Sequence, residues 1–355
     1  MTAAIKPEIG SYAVSVDTHC NTPEWDAFVR AQEDGTFFQL SAWGAVIKRA
    51  YGYDTYYLTA RNNGEIAGIL SLTDARTPLL GRSLISTAFS VGGGPLVRDQ
   101  PAFASLLHAA EKLGAQHNVQ YIECRAAFDA KGWHSRTCAH AYFQAPLLSD
   151  ENKALQAIPR KRRAEVRKAI GAEQSGDLSI RHDGSVDEFY KLYALSVHRL
   201  GTPVFPKRFL VELLSVFEKE SEISVVSYRG EPMAALVSFY FDGAVLPYYV
   251  GTSLGARDSR AFDYLYWAIM RRAVGKGCTS FDFGRSKLDS GAYRYKKLWG
   301  FEPSPVQYQV KLIAAAALPD VSTANPKFSF FSSVWPKLPA FAANHLGPLL
   351  APNFP

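Results

Sequence analysis

One block of this sequence occurs twice, about 160 residues apart. The segment VGGGPLVRDQPAF beginning at Val91 aligns without gaps on VGTSLGARDSRAF beginning at Val250, and six of the thirteen positions are identical. The same register places Leu106 on Leu265, Ile122 on Phe281 and Glu123 on Asp282. Upstream, the turn Asn63-Gly64-Glu65 resembles Arg229-Gly230-Glu231 with a register shifted by about seven residues, which one extra loop near Leu79–Ser83 absorbs. A period of this length is that of a domain, far longer than a solenoid repeat. The chain therefore reads as two copies of one fold in tandem, and comparing the copies separates scaffold from site.

A length of 355 residues suits two domains, each with its own core. The expected division is 1–148, 149–318 and a tail over 319–355. Hydrophobic residues make up 47% and charged residues 20%, the balance of a soluble globular protein. The longest apolar runs, such as Leu312–Leu318, fall short of the roughly 20 residues of a membrane helix. No basic stretch followed by an apolar core marks a signal peptide at the N-terminus. The four cysteines form no CxxC pair, which points to a reducing, cytoplasmic setting. A net charge of +6 favours anionic partners. Much of it lies in Arg160-Lys161-Arg162-Arg163 and Arg167-Lys168, after a proline suited to a first helical turn. That run is either a solvated helix face or a contact for phosphate, RNA backbone or an anionic membrane surface.

Each copy predicts the same order of elements. Tyr56, Leu58 and Ala60 alternate before the first turn, and Ile66, Gly68, Leu70 and Leu72 after it, as in an antiparallel hairpin with one buried face. Ile223, Val225 and Ser227, then Ala235, Val237, Phe239 and Phe241, repeat the pattern. A third strand is expected over Leu84–Val91 and over Val245–Val250. A helix follows, with Phe103, Leu106, Leu107 and Ala110 matched by Phe262, Leu265, Tyr266 and Ile269 on one apolar stripe. Asp99 and Asp258 stand where an aspartate caps a helix, and Gly114 and Gly275 or Gly277 where a helix ends. Short buried strands, Val119–Cys124 and Ser280–Phe283, close each copy. The loop between third strand and helix presents backbone donors, a natural anion site.

Hairpin, strand, helix, strand resembles the core of the GNAT N-acetyltransferase fold. Two such units, the basic stretch after Ile158-Pro159, Phe283-Gly284-Arg285-Ser286 and Tyr295-Lys296-Lys297-Leu298-Trp299-Gly300-Phe301 resemble the FemAB family of aminoacyl transferases. With Trp335-Pro336-Lys337-Leu338-Pro339 and Leu346-Gly347-Pro348, the chain also resembles the FemAB-related branch associated with exosortase/PEP-CTERM systems. The resemblance covers most of residues 10–312. It implies an α/β fold of two GNAT-like domains with mixed sheets flanked by helices. It also implies an acyl-coenzyme A or aminoacyl-tRNA donor. The acceptor would be an amine on an anionic cell-envelope, glycan or peptidoglycan-type precursor.

Features common to both copies, the Arg98-Asp99 and Arg257-Asp258 pairs and Glu123 with Asp282, are explained by scaffold as well as by function. The stretch after Asp282 differs sharply from its counterpart Cys124–Trp133, which directs attention to the second copy. The resemblance points to Lys296 as a cation near donor or substrate phosphate, in the place where acetyltransferases carry a tyrosine, with Arg285 beside it. His198, before Gly201-Thr202-Pro203, is a candidate base for an incoming amine, since imidazole titrates near neutrality. Tyr249, Gly251, Arg257, Arg260, Asp282, Lys287, Tyr293 and Arg163 are candidate binding residues. Arg257-Asp258-Ser259-Arg260-Ala261 lacks the glycines typical of a coenzyme A pyrophosphate loop.

Cys124, His134, Cys138 and His140 match no common zinc spacing, so no metal is expected. The tail after Pro319, rich in Phe, Trp and Pro, either packs back on a domain or meets a membrane interface through Phe328, Phe330, Phe331 and Trp335. Two functions fit: an acyl- or aminoacyltransferase, or a non-catalytic GNAT-fold binding protein at a polysaccharide-assembly complex.

Overall fold

Alternating buried and exposed positions build two antiparallel hairpins, and each hairpin seeds one sheet. The computed structural model describes residues 12–78, 81–318, 334–353 and 355. Along the first copy run β1 (Ala13–Asp17), α1 (Thr22–Ala31), α2 (Ser41–Tyr51), β2 (Thr55–Asn62), β3 (Glu65–Thr77), β4 (Gly81–Ile85), β5 (Leu96–Val97), α3 (Gln100–Gln116) and β6 (Tyr121–Cys124). Then come β7 (His134–Pro146), α4 (Glu151–Ala157), α5 (Arg160–Gln174), β8 (Leu178–Arg181), α6 (Val186–Arg199) and α7 (Lys207–Val216). They are followed by β9 (Ser221–Tyr228), β10 (Glu231–Phe241), β11 (Ala244–Thr252), α8 (Ala261–Gly275), β12 (Ser280–Lys287), α9 (Gly291–Leu298), β13 (Pro303–Leu312) and α10 (Ala340–Leu350).

The chain forms two compact units. Among the described residues, the first holds those up to 138 with 306–318, 350–353 and 355, and the second holds 139–305 and 334–349. In the first unit the strand order is β1-β2-β3-β4-β6-β13, with β5 paired to β3. In the second it is β8-β9-β10-β11-β12-β7. Every step has the same sense in both. Three antiparallel pairings are followed by one parallel pairing, β4 with β6 or β11 with β12, and then by a final antiparallel strand. That final strand is exchanged: β7 follows the first copy in sequence yet completes the second unit's sheet, and β13 completes the first's. Both units are thus mixed α/β sheets flanked by helices.

Helix α3 covers the first core with Leu106, Leu107 and Ala110, and α8 covers the second with Leu265, Tyr266 and Ile269. Both predicted stripes are present. Their caps differ. Asp99 Oδ1 accepts from Ala102 N at 2.9 Å and caps α3. Asp258 does not cap α8, whose N-cap is Arg260 in the left-handed region at φ 62° with no side-chain cap. Nor does Gly114 end α3, which runs on to Gln116. Pro159 is the N-cap of α5 and stands just outside its first turn.

The third strand of the first copy also ends early. Strand β4 stops at Ile85, because Thr87 (φ 43°) and Phe89 (φ 64°) turn the chain into a loop. Residues 79 and 80, within the expected extra loop, lie outside the described residues.

Gly251, near the end of β11, serves packing. A Cβ there would lie 2.3 Å from Tyr193 N and 2.5 Å from Leu192 C, both backbone atoms of α6. Strand β11 therefore meets α6 at a distance only glycine permits. Gly251→Ala is expected to destabilise the protein by about 2 kcal/mol, read as a lower urea midpoint. An unchanged midpoint would contradict this close approach.

Candidate active site in the second unit

Strands β11 and β12 pair over only two positions, Ala244 with Ser280 and Val245 with Phe281. Beyond them β11 stays with β10 up to Thr252, while β12 stays with β7 up to Lys287. Two parallel strands that keep only their outer partners open a wedge between them. Asp282 stands at its apex.

A bulge shapes this apex. The register of β12 on β7 shifts between Asp282 and Gly284, and Gly284 sits at φ 65°. Such a bulge re-aims side chains next to a site. It turns Gly284 N toward Asp282 Oδ1, to which it donates at 2.7 Å, while Tyr142 of β7 donates a short hydrogen bond to Asp282 Oδ2. Asp282 is 8% exposed. Burial holds its carboxyl above the usual range, outweighing Tyr142, Gly284 and the charge of Lys296. Burial and Asp282 together push the Tyr142 phenol up, so it keeps its proton.

Lys296 is buried at the same place and faces backbone. Its Nζ donates to the carbonyls of Phe283 at 2.5 Å, Gly284 at 3.1 Å and Arg285 at 3.1 Å. An ammonium has three protons, and all three are used. Burial pulls Lys296 down to about 7, against the opposing pull of Asp282, while three carbonyl acceptors favour the charged form. The expected cation at donor or substrate is therefore a clamp on the bulge. Arg285 and Lys287 are exposed farther along β12. Burial, with the charges of Arg285 and Lys287, lowers His140 on β7 to about 4. The end of β12 is thus electropositive.

The other candidates lie elsewhere. Tyr249 is buried in a cluster with Tyr193, Phe205, Phe209 and Phe239. Tyr293 packs edge-on against Phe143 at 5.3 Å. His198 is half-buried in the last turn of α6, its Nε2 buried without a partner. Arg257 is exposed in the loop before α8, and Arg260 Nε lies 3.4 Å from Glu165. Arg163 Nη1 donates to the carbonyl of Gln156 at 3.2 Å. Within the same basic run, Arg162 instead turns inward to Asp263 at 2.5 Å and stacks on Tyr295 at 4.8 Å. Arg160, Lys161 and Arg167 remain exposed. Among the described residues no group of three or more His, Cys, Asp or Glu side chains is arranged to hold a metal.

The matched place in the first unit is closed. There β4 and β6 pair over three positions, and Arg125 N then donates to Ser86 Oγ at 2.8 Å and to the Gly93 carbonyl at 3.0 Å. Glu123, the counterpart of Asp282, is ion-paired to Arg125 at 3.2 Å and Arg136 at 2.5 Å. Burial pushes Glu123 up, but the two guanidinium groups outweigh it and hold it low. Arg125 also donates to the carbonyls of Ser90 at 2.7 Å and Pro355 at 2.6 Å.

In the tail, Phe328, Phe330 and Phe331 lie outside the described residues. Trp335 is buried, whereas Phe341 and Leu349 on α10 are exposed. No helix among the described residues is long and apolar enough to cross a membrane.

Removing the clamp should act on folding. Lys296→Met removes three hydrogen bonds from the bulge and is expected to cost about 3 kcal/mol, with Lys297→Met within about 0.5 kcal/mol of wild type. Equal urea midpoints for the two variants would contradict the clamp.

Comparison with known proteins agrees with this architecture. An acetyltransferase (GNAT) domain model matches residues 160–297, within the second unit. No curated protein matches the sequence. Among solved structures, FemX aligns over 83% of this chain and 97% of its own, with TM-score 0.68 and 15% identity. The C-terminal domain of a putative lysylphosphatidylglycerol synthetase from Agrobacterium fabrum aligns over 82% and 91%, with TM-score 0.54 and 12% identity. A tandem GNAT protein from the clavulanic acid biosynthesis pathway aligns over 83% and 93%, with TM-score 0.52 and 13% identity. The chain thus has a tandem GNAT fold like that of FemX, and the domain model that its residues 160–297 match is that of an acetyltransferase (GNAT) domain.

Proposed function

We propose that the second unit transfers an acyl or aminoacyl group from a thioester or tRNA ester to an amine, at the wedge between β11 and β12. The observation that carries this reading is the asymmetry at matched carboxylates. Asp282 stands at an opening, bonded to Tyr142 and Gly284, while Glu123 is neutralised by two arginines.

In this reading the donor carbonyl lies in the wedge and the amine nitrogen attacks its carbon. The new C–N bond replaces the C–S or C–O bond of the donor. Asp282 accepts the amine's proton, since a carboxylate bonded by two donors still has lone pairs to offer. A carboxyl raised by burial is better matched to that task than an exposed one. The proton returns to the departing sulfur or ribose oxygen. Tyr142 orients the carboxylate. Arg285 and Lys287 attract an anionic acceptor such as a cell-envelope precursor.

The exposed face of α5 favours charged tRNA over coenzyme A as donor. Arg160, Lys161 and Arg167 lie open on it, and Arg163 borders them, a spacing suited to a phosphate backbone. The uncapped start of α8, with Arg257 exposed before it, would suit either donor's phosphate. A neighbour named as a lysylphosphatidylglycerol synthetase supports aminoacyl transfer toward an envelope component. The exopolysaccharide setting of the PEP-CTERM-associated branch is part of the same proposal.

Asp282→Asn is expected to lower kcat at least ~100-fold with KM little changed, measured with aminoacyl-tRNA and acyl-coenzyme A donors in parallel. Tyr142→Phe should fall between Asp282→Asn and wild type. Wild-type turnover in Asp282→Asn would overturn the proposed site.

A further inference from the structure

The second unit gathers the most exposed apolar side chains into one neighbourhood. Among the described residues, Leu254 is 83% exposed, Phe341 79%, Leu200 76% and Leu349 66%, and the other exposed large apolar residues reach at most 45%. Three segments carry these four, and contacts join the segments. Leu200 follows α6, and beside it Arg199 Nη2 donates to the Thr252 carbonyl at 2.7 Å and to Thr252 Oγ1 at 3.0 Å, two residues before Leu254. Helix α10 closes on the loop after Leu200, since a Cβ on Gly347 would lie 2.9 Å from Val204 N. The turn at Trp335 packs on α6. Ala343 and Gly347 face inward on α10, so Phe341, His345 and Leu349, about half a turn away, face out.

Single exposed apolar residues are ordinary, but the most exposed ones falling together mark an interaction surface. Charge says what covers it. Residues 199–208, 252–260 and 335–349 hold six lysines and arginines and one acid, Asp258. Lys207 pairs with Asp187, and Arg260 with Glu165 at 3.4 Å. Arg199, Arg208, Arg257 and Lys337 are exposed. We infer that this face seats the protein on an anionic phospholipid bilayer. The leucine and phenylalanine tips enter the boundary between headgroups and acyl chains, and the cations meet lipid phosphates. The tips stand on separate loop and helix segments, an arrangement that a fluid surface accommodates, whereas a rigid protein partner needs a fitted hollow for each. The contact is peripheral and inserts no helix across the bilayer. Leu254 lies just beyond the end of β11, so lipid would stand beside the mouth of the wedge. The inference concerns lipid binding and stands whatever the wedge transfers.

The test is flotation of the full chain with vesicles of phosphatidylcholine alone, or with about one third phosphatidylglycerol. Binding to the anionic vesicles is expected to be about tenfold or more tighter than to phosphatidylcholine, and to weaken as salt is raised. The double variant Leu254→Ser/Phe341→Ser changes only exposed side chains, so it should keep the wild-type unfolding midpoint and lose about tenfold or more of the binding. Leu148→Ser, at an exposed leucine outside the three segments, should bind as wild type. If the double variant misfolds, Leu200→Ser takes its place. The inference is overturned by failure to bind anionic vesicles, by equal binding to both compositions, by wild-type binding in the folded variant, or by an equal loss in Leu148→Ser. Sedimentation of the lipid-free chain as a dimer that the double variant dissolves would assign the face to a second copy and overturn it as well.

Discussion

A single buried ammonium holds the bulge at which the second unit's candidate site is built. Strand β12 does not remain regular past Asp282: it bulges at Phe283 and turns at Gly284, whose N–H meets Asp282 Oδ1. The bulge brings three successive carbonyls, those of Phe283, Gly284 and Arg285, within reach of one donor, and buried carbonyls need donors. Lys296 supplies all three from one atom. The charge it brings into the core is in turn balanced by Asp282, the carboxylate the bulge presents. Scaffold and candidate chemistry are thus one cluster. A residue that looked like a catalytic cation acts one step back, on the geometry of the residue beside it.

The two units show what one architecture permits when its apex is furnished differently. Their strand orders and pairing senses agree throughout, including the single parallel step. In the first unit the carboxylate is matched by Arg125 and Arg136, and a loop bearing Gly93 is stitched across the gap. In the second, the partners of the carboxylate are a phenol and a backbone N–H, and the strands separate. Ion pairs buried this way trade chemistry for a closed core, since a carboxylate held low by two guanidinium groups is a poor proton acceptor.

Much of this was legible in the sequence because the repeated block fixes where each hairpin, third strand and helix must lie. Alternation at Tyr56–Leu72 and Ile223–Phe241, and the stripes at Leu106 and Leu265, reflect burial, which residue type reports directly. Other features depend on relations the sequence does not display. Strand exchange moves β7 into the second unit, so Tyr142 stood on the wrong side of a boundary drawn in chain order. Asp99 and Asp258 occupy matched positions, but only Asp99 caps, because Arg260 takes the left-handed conformation before α8. Gly251 is a glycine for α6, and Tyr249 belongs to an aromatic core, although both lie at the strand end where a ligand was expected. In the basic run, Arg160 and Lys161 face solvent while Arg162 turns inward to Asp263, and only burial separates Arg162 from Arg160.

The central claim is that the second unit, and not the first, receives the acyl donor. The most direct measurement is hydrogen–deuterium exchange on the full chain, with and without a hydrolysis-resistant aminoacyl-RNA or acyl-coenzyme A analogue. The account predicts slowed exchange over 246–252 and 282–287, with 86–94 and 123–125 unchanged. Protection at 86–94 and 123–125, with the β11–β12 wedge unaffected, would contradict it.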